Sequence, residues 1–224
     1  MTPIICTVDV VLFTLIDDRL QIALLKREQA PFKNILALPG GGIHPDEDRD
    51  TQDAALRMLR EKTGIGNPYL EQLGTFSGQA RDPRGWSISV AYCALVPPQL
   101  LQETRHPDLV LLASDGLKGL PFDHQAIVDA ALARVRNKSS YSSLPVHLCG
   151  ESFTVPALQK IYETLLGEAI NKVSFRRKID ELNILEPILG ALESGKANRP
   201  AQLYRLKTSF RQQLSLTDRA LNRH

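Results

Sequence analysis

The sequence predicts an α/β domain, with helices packed on a mixed sheet, followed by a small helix-turn-helix domain that carries a β-wing. Three observations carry this prediction. Residues 1–133 alternate between the two-residue period of strands and the 3.6-residue period of helices. From Asn137 a polar, serine-rich tract ending in Pro145 interrupts the pattern. Beyond it, two apolar stripes at helical spacing flank a single glycine. Charge divides the same way: residues 1–133 hold 12 lysines and arginines against 17 acids, and residues 134–224 hold 15 against 8. A basic half joined to an acidic half points to a polyanion as the partner of one end only.

Residues 8–15 are apolar and β-branched, residues 16–19 are turn-like, and residues 21–26 resume as a strand, so a hairpin is expected. A glycine-rich turn at 40–42 leads to a helix over about 50–63, where Ala54, Ala55, Met58 and Leu59 recur at helical spacing. Asp50 or Thr51 can cap its start and Gly64 its end. Residues 69–76 and 87–96 read as strands around a Gly/Pro loop at 81–85, and residues 123–136 as a helix. The serine-rich tract places a boundary between a first domain, 1–138, and a second, 139–224. In the second domain Leu158, Ile161, Tyr162 and Leu165 form one stripe, Gly167 breaks it, and Phe175, Ile179 and Leu182 form another in a segment capped by Asn171. Residues 201–206, after a Gly/Asn/Pro loop, form the wing strand.

Other classes are excluded by composition. The apolar run 10–16 is too short to span a bilayer and no basic segment precedes an apolar one, so a cytoplasmic protein without a membrane partner is expected. Cys6, Cys93 and Cys149 are too far apart for a disulfide framework or a metal pair, and the five histidines are not at zinc-binding spacing.

The stretch Leu38-Pro39-Gly40-Gly41-Gly42, followed by Arg57-Met58-Leu59-Arg60-Glu61-Lys62-Thr63-Gly64-Ile65, resembles a Nudix box. Such a box sets carboxylates four residues apart on one helix face to hold Mg²⁺ or Mn²⁺ against a pyrophosphate. Gly41 to Glu47 keeps the spacing, but Glu47 to Arg57 is two residues too long, and only the central Glu61 survives. Met58 and Lys62 stand at the paired carboxylate positions: a thioether is a poor ligand for a hard cation and an ammonium repels it. No residue is therefore expected to be catalytic, and no metal or cofactor to be required. Lys62 would instead place a covalent positive charge where the metal sat.

With the box, the stretch from Arg81 to Tyr92 and the pieces 153–163, 171–178 and 199–205, nearly the whole chain resembles the NrtR family of Nudix-related regulators of NAD metabolism. The resemblance implies an α/β/α Nudix fold with a mixed sheet that binds ADP-ribose or a related NAD metabolite, a winged helix-turn-helix that binds double-stranded DNA, and a homodimer repressing NAD biosynthesis or salvage genes. Similar sugar-responsive regulators share the architecture. An ADP-ribose-type pyrophosphatase with a metal site rebuilt from Asp46, Glu47, Asp48, Asp50 and Glu61 is the main alternative, and an RNA-binding module the next.

Candidate ligand-binding residues are Arg27, Arg57, Arg81 and Arg84 with Gly41, Gly42 and Gly85, since a pyrophosphate favours guanidinium groups and backbone amides, together with Glu61 and Lys62 of the box. Trp86 or Phe32 is a candidate to stack on a base. Phe175, Ile179 and Leu182 would turn inward, leaving Lys172, Ser174, Arg176, Arg177 and Lys178 on the front and flanks of a recognition helix, with Arg199 and Tyr204 in the wing as further DNA-binding candidates. The resemblance implies a two-fold dimer, for which a pseudo-palindromic operator is expected.

Overall fold

In the computed structural model, which describes residues 3–104, 107–193 and 200–210, β1 (Ile5–Ile16) and β2 (Arg19–Lys26) form the expected hairpin. Asp17 and Asp18, both at positive φ, make its two-residue turn, the arrangement that matches strand twist. Next along the chain come β3 (Leu36–Ala37), β4 (Gly40–Gly42), α1 (Thr51–Thr63), β5 (Tyr69–Gly78), β6 (Ser87–Leu95), α2 (Pro98–Thr104), β7 (Leu109–Ala113) and α3 (His124–Ser139). The strands form one mixed sheet in the order β3-β2-β1-β6-β5, with β4 added to β1 and β7 to β2; β1 and β6 run parallel and the other pairs antiparallel.

β1 is buried on both faces, hence its near-continuous apolar spelling. Alternation puts Val8, Val10 and Leu12 on one face, packed with Ala54, Ala55, Met58 and Leu59 of α1 and Tyr92 and Ala94 of β6. Asp9 falls on the opposite face. α1 is bounded as its sequence suggests: the Asp50 carboxylate accepts the Asp53 N–H, and Gly64, at φ 76°, closes the helix.

The glycine tract is not a turn. It is strand β4, whose Gly40, Gly41 and Gly42 pair with Asp9, Val8 and Thr7. Side chains would block that approach, because a Cβ on Gly40 would lie 2.1 Å from Asp9 Oδ1 and one on Gly41 would lie 2.6 Å from Met58 Sδ.

Contacts divide the chain into two units, Met1–Ala133 and Arg134–His224. The serine-rich tract differs from the linker expected of it. Asn137–Ser139 complete α3, so the expected 138/139 boundary falls in the last turn of that helix. Ser139 and Ser142 are fully buried, their hydroxyls donating back to the carbonyls of Val135 and Lys138 at 2.7 Å each. Residues Leu144–Leu148 then form a 3₁₀ turn.

In the second unit β8 (Phe153–Thr154), α4 (Val155–Leu166), α5 (Lys172–Leu182), β9 (Leu185–Glu193) and β10 (Ala201–Leu206) give a helix-turn-helix and a three-stranded sheet ordered β8-β10-β9. Leu158 and Tyr162 of α4 meet Phe175 and Ile179 of α5 in a separate core, the Tyr162 and Phe175 rings edge to face at 5.2 Å. Pro187 and the positive-φ Gly190 hide β9 from any strand pattern. Among the described residues no helix is long and apolar enough to cross a membrane.

Candidate functional site

The face of β1 that carries Asp9 holds a buried polar network. The Ser89 hydroxyl donates to Asp9 Oδ2 at 2.6 Å, Arg81 Nη2 donates to the same oxygen at 3.4 Å, and His124 Nε2 stands 3.5 Å from Oδ1. His124 Nδ1 accepts the Leu38 N–H at 3.1 Å, which places the proton of a neutral ring on Nε2, facing Asp9. Burial pushes the Asp9 carboxyl up, but His124, Ser89 and Arg81 outweigh it and hold it below its ordinary range. Arg81 is a strut of this network: it is 8% exposed, and its N–H groups go to both oxygens of Asp123 at 2.9 Å and to Ser87 Oγ at 3.1 Å as well as to Asp9.

Above the network opens a cleft of two adjoining lobes. One, of about 270 Å³, is lined by Asp9, Arg27, Lys62, Arg84, Phe122 and His124 over the β4 glycines. The other, of about 410 Å³, is lined by Leu25, Arg27, Glu28, Glu61, Lys62 and Asp108 among others. Arg27, Leu38, Gly40 and Lys62 belong to both lobes and form the waist. There Lys62 Nζ donates to the Gly40 carbonyl at 2.6 Å.

Burial is the first influence on the cations of the waist. Burial, and next the charge of Arg27, pull the Lys62 pKa down against Asp9, Glu61 and Glu28. Burial and then Arg84 do the same to Arg27 against Asp82 and Asp9. Cations that depress one another in a part-buried cleft are relieved by an anion. Arg27 also lies 4.8 Å over the Phe122 ring, with Phe32 edge to face on the same ring at 4.8 Å. Both phenylalanines sit at positive φ, 63° for Phe32 and 56° for Phe122, a backbone strain that clusters at ligand sites. Trp86 is exposed and does not line either lobe.

The structure thus brings Arg27, Gly41, Gly42, Glu61, Lys62, Arg81 and Arg84 to the cleft wall. Arg84 is held by Asp82 at 2.7 Å, which raises its pKa. Arg57 and Gly85 lie off the lining. Arg57 is spent beneath it, donating to Asp48 Oδ1 and Oδ2 at 2.8 and 2.7 Å, to the Gly42 carbonyl at 3.1 Å and to Glu61 at 3.4 Å. Its guanidinium holds the Asp48 carboxyl down to about 2. Gly85 closes a turn by donating its N–H to the Asp82 carbonyl at 3.1 Å. Asp9, Phe122 and His124 escape the sequence reading, although an acid inside the apolar run 8–15 was a signal available for the first.

Two positions of the box carry side chains other than carboxylates. Met58 is buried against Gly41, Lys62 points into the cleft, and among the described residues no three His, Cys, Asp or Glu side chains are grouped to hold a metal ion. Asp50 caps α1 and Asp48 serves Arg57 and the His44 N–H.

The second unit presents α5. Asn171 Oδ1 accepts the N–H groups of Val173 and Ser174 at 3.1 and 3.0 Å, Phe175 and Ile179 are buried, and Lys172, Val173, Arg176 and Arg177 are exposed. Ser174 and Lys178 are half-buried on the flanks. Arg176 pairs with Asp180, Arg177 with Glu181 and Lys178 with Glu181. Tyr204 of β10 accepts from Arg176 Nη2 at 2.9 Å. Arg199 lies outside the described residues.

The sequence matches the NUDIX domain over residues 7–128 and the NrtR DNA-binding winged helix domain over residues 145–206. It is 41% identical over 203 residues, 89% of this chain and 80% of the other, to the ADPR responsive transcriptional repressor NtrR of Acinetobacter baylyi. The fold matches Shewanella oneidensis NrtR complexed with a 27mer DNA at TM-score 0.90 and 36% identity, covering 97% of this chain and 99% of that one. The Nudix domain of the same Shewanella protein, complexed with ADP ribose, matches at TM-score 0.54 and 38% identity over 60% of this chain and 90% of that one. With both halves matched and a relative this similar over most of its length, the chain belongs to the NrtR family, a Nudix domain joined to a winged helix domain.

Proposed function

We propose that this protein is a DNA-binding transcriptional repressor of NAD biosynthesis or salvage genes, gated by ADP-ribose or a related NAD metabolite bound in the Nudix cleft. The observation that carries the ligand half is Lys62. An ammonium stands at a carboxylate position of the box, reaches the Gly40 carbonyl at the cleft waist and faces Arg27. That arrangement attracts a diphosphate without activating water, so the domain senses its ligand rather than hydrolysing it. Of the five acids of a rebuilt metal site two are engaged elsewhere, Asp48 by Arg57 and Asp50 as a helix cap. Arg27, Lys62 and Arg84 take the diphosphate, and the ring of Phe122, backed by Phe32, edges the base subsite.

For the DNA half, α5 offers a capped N-terminus and an exposed basic face of the kind that enters a major groove. The relatives support both halves: one is an ADPR responsive repressor, and another has been crystallised with DNA and, as its Nudix domain, with ADP ribose. The protein acts as a homodimer on a pseudo-palindromic operator with half-sites about one helical turn, or a multiple of it, apart. Ligand moves the dimer to a spacing that fits poorly, which takes a coupling on the order of 1–3 kcal/mol.

Fluorescence anisotropy on duplex DNA from upstream of its own gene and of neighbouring NAD genes, at fixed salt with and without ADP-ribose, tests this. Tight binding weakened by roughly fivefold or more is expected. Absence of duplex binding, together with metal-dependent phosphate release from ADP-ribose in a coupled phosphatase assay, would return the hydrolase reading.

A further inference from the structure

The basic residues of α5 are not equivalent. Arg176 is fixed from two sides: its Nε donates to Asp180 Oδ2 at 3.1 Å, and its Nη2 donates to Tyr204 Oη at 2.9 Å while the guanidinium lies 5.3 Å from the centre of that ring. Tyr204 is itself anchored. It is half-buried in the middle strand of the wing sheet, paired with Phe153 of β8 and Pro187 of β9. Arg177 has no such brace; its side chain is 71% exposed, and Glu181 one turn away approaches only to 3.6 Å. Lys178 meets the same glutamate at 3.0 Å from the flank.

Resting on the DNA-binding reading above, we propose that Arg176 is the specificity-determining arginine of α5, with Tyr204 as its positioning residue, and that Arg177 contacts phosphate. Two of the five guanidinium donors of Arg176 are taken by the protein and three remain. That is enough for the two-point hydrogen bond to O6 and N7 of guanine in the major groove, which is the geometry a planar fork reads best. Base readout needs a donor held at a fixed angle. A phosphate accepts from many directions, so a loosely held side chain such as Arg177 serves it as well. Tyr204 lets the wing set the angle at which the helix reads, and the hydrogen bond to Tyr204 leads the causes that raise the Arg176 pKa.

A random-sequence duplex pool, bound by the full chain and sequenced after one round, tests the assignment. Wild type is expected to enrich a guanine in each half-site. Tyr204→Phe is expected to lose roughly tenfold of the preference at that guanine. Arg176→Lys, which keeps the charge and loses the fork, gives the same loss, whereas Arg177→Ala weakens all sequences alike. Undiminished guanine enrichment by both Tyr204→Phe and Arg176→Lys, or an Arg177→Ala that alone changes the motif, would overturn the proposal. Wild type that binds no duplex at all overturns the DNA-binding reading, and this assignment with it.

Discussion

The Nudix cleft and the face of α5 both collect positive charge, but they hold it in opposite ways. In the cleft, Lys62 and Arg27 are part-buried and depressed in pKa, first by burial and next by a neighbouring guanidinium, Arg27 for Lys62 and Arg84 for Arg27. On α5, Arg176 and Arg177 are exposed and Lys178 lies half-buried on the flank, each with a carboxylate three or four residues on. A part-buried, desolvated set of cations gains most from one small anion of matching shape. An open, self-paired set trades one carboxylate for another anion at little gain per residue, so its binding is spread over many contacts and screened by salt. On the proposed function, the same residue types make a ligand switch in one unit and a polyanion-binding surface in the other.

The contrast breaks most readily at Lys62. Lys62→Glu removes a charge-assisted donor and adds repulsion, so ADP-ribose binding by calorimetry in EDTA is expected to fall at least about a hundredfold. Wild type is expected to bind equally well with EDTA and with Mg²⁺, while the variant recovers part of its affinity only with the metal. A metal requirement in wild type would mean that Lys62 does not replace the cation.

Packing gives the next largest effect. Gly40→Ala drives a Cβ into Asp9 and the backbone of Val8, an overpacking of about 1–3 kcal/mol, and should lower the melting temperature by roughly 2–10 °C. Gly42→Ala meets nothing within 4 Å and should melt like wild type. Equal melting of the two would show that β4 can lift from β1, and that the cleft floor is not enclosed.

These two tests also mark where the sequence was legible. The helix of the box could be read to its caps because Asp50, Gly64 and the apolar stripe act within a few residues. Both α4 and α5 were legible for the same local reasons. The glycine tract misled because its reason is tertiary: three glycines suit a turn, yet here they let a strand lie over Asp9 and Met58. Arg81 shows the limit for site residues. A lone arginine beside a Gly/Pro loop reads as a ligand arm, and only packing reveals that Asp123, Ser87 and Asp9 already use its donors. Lys62 was legible because it broke a spaced pattern whose chemistry is known, whereas Phe122 and His124 had no pattern to break.

Acid should separate the two units next. The folded-state pKa of Asp48 is depressed to about 2, first by the hydrogen bond from Arg57, which sits beneath the cleft. A depressed carboxylate contributes stability that is present above its unfolded value near 3.9 and is lost as pH falls through the folded one. Wild-type melting temperature should therefore drop between about pH 4 and pH 2, and Asp48→Asn, already less stable at neutral pH, should follow a shallower curve over that window. Parallel curves would mean that the Asp48 and Arg57 pair does not hold the box in solution.

The smallest expected change is at Arg177, and it bears on the other half of the contrast. Its side chain is 71% exposed and its contact with Glu181 spans 3.6 Å, so Arg177→Ala should leave stability within about 0.5 kcal/mol. One lost phosphate contact lowers the slope of log affinity against log salt by about 0.9. The affinity lost between 50 and 200 mM salt, a fourfold change, would then be smaller by about threefold in the variant than in wild type. Titrations of duplex DNA at four or more salt concentrations resolve a change of that size. An unchanged slope would mean that Arg177 remains with Glu181 when DNA is bound, leaving the open face fewer working charges than its sequence displays.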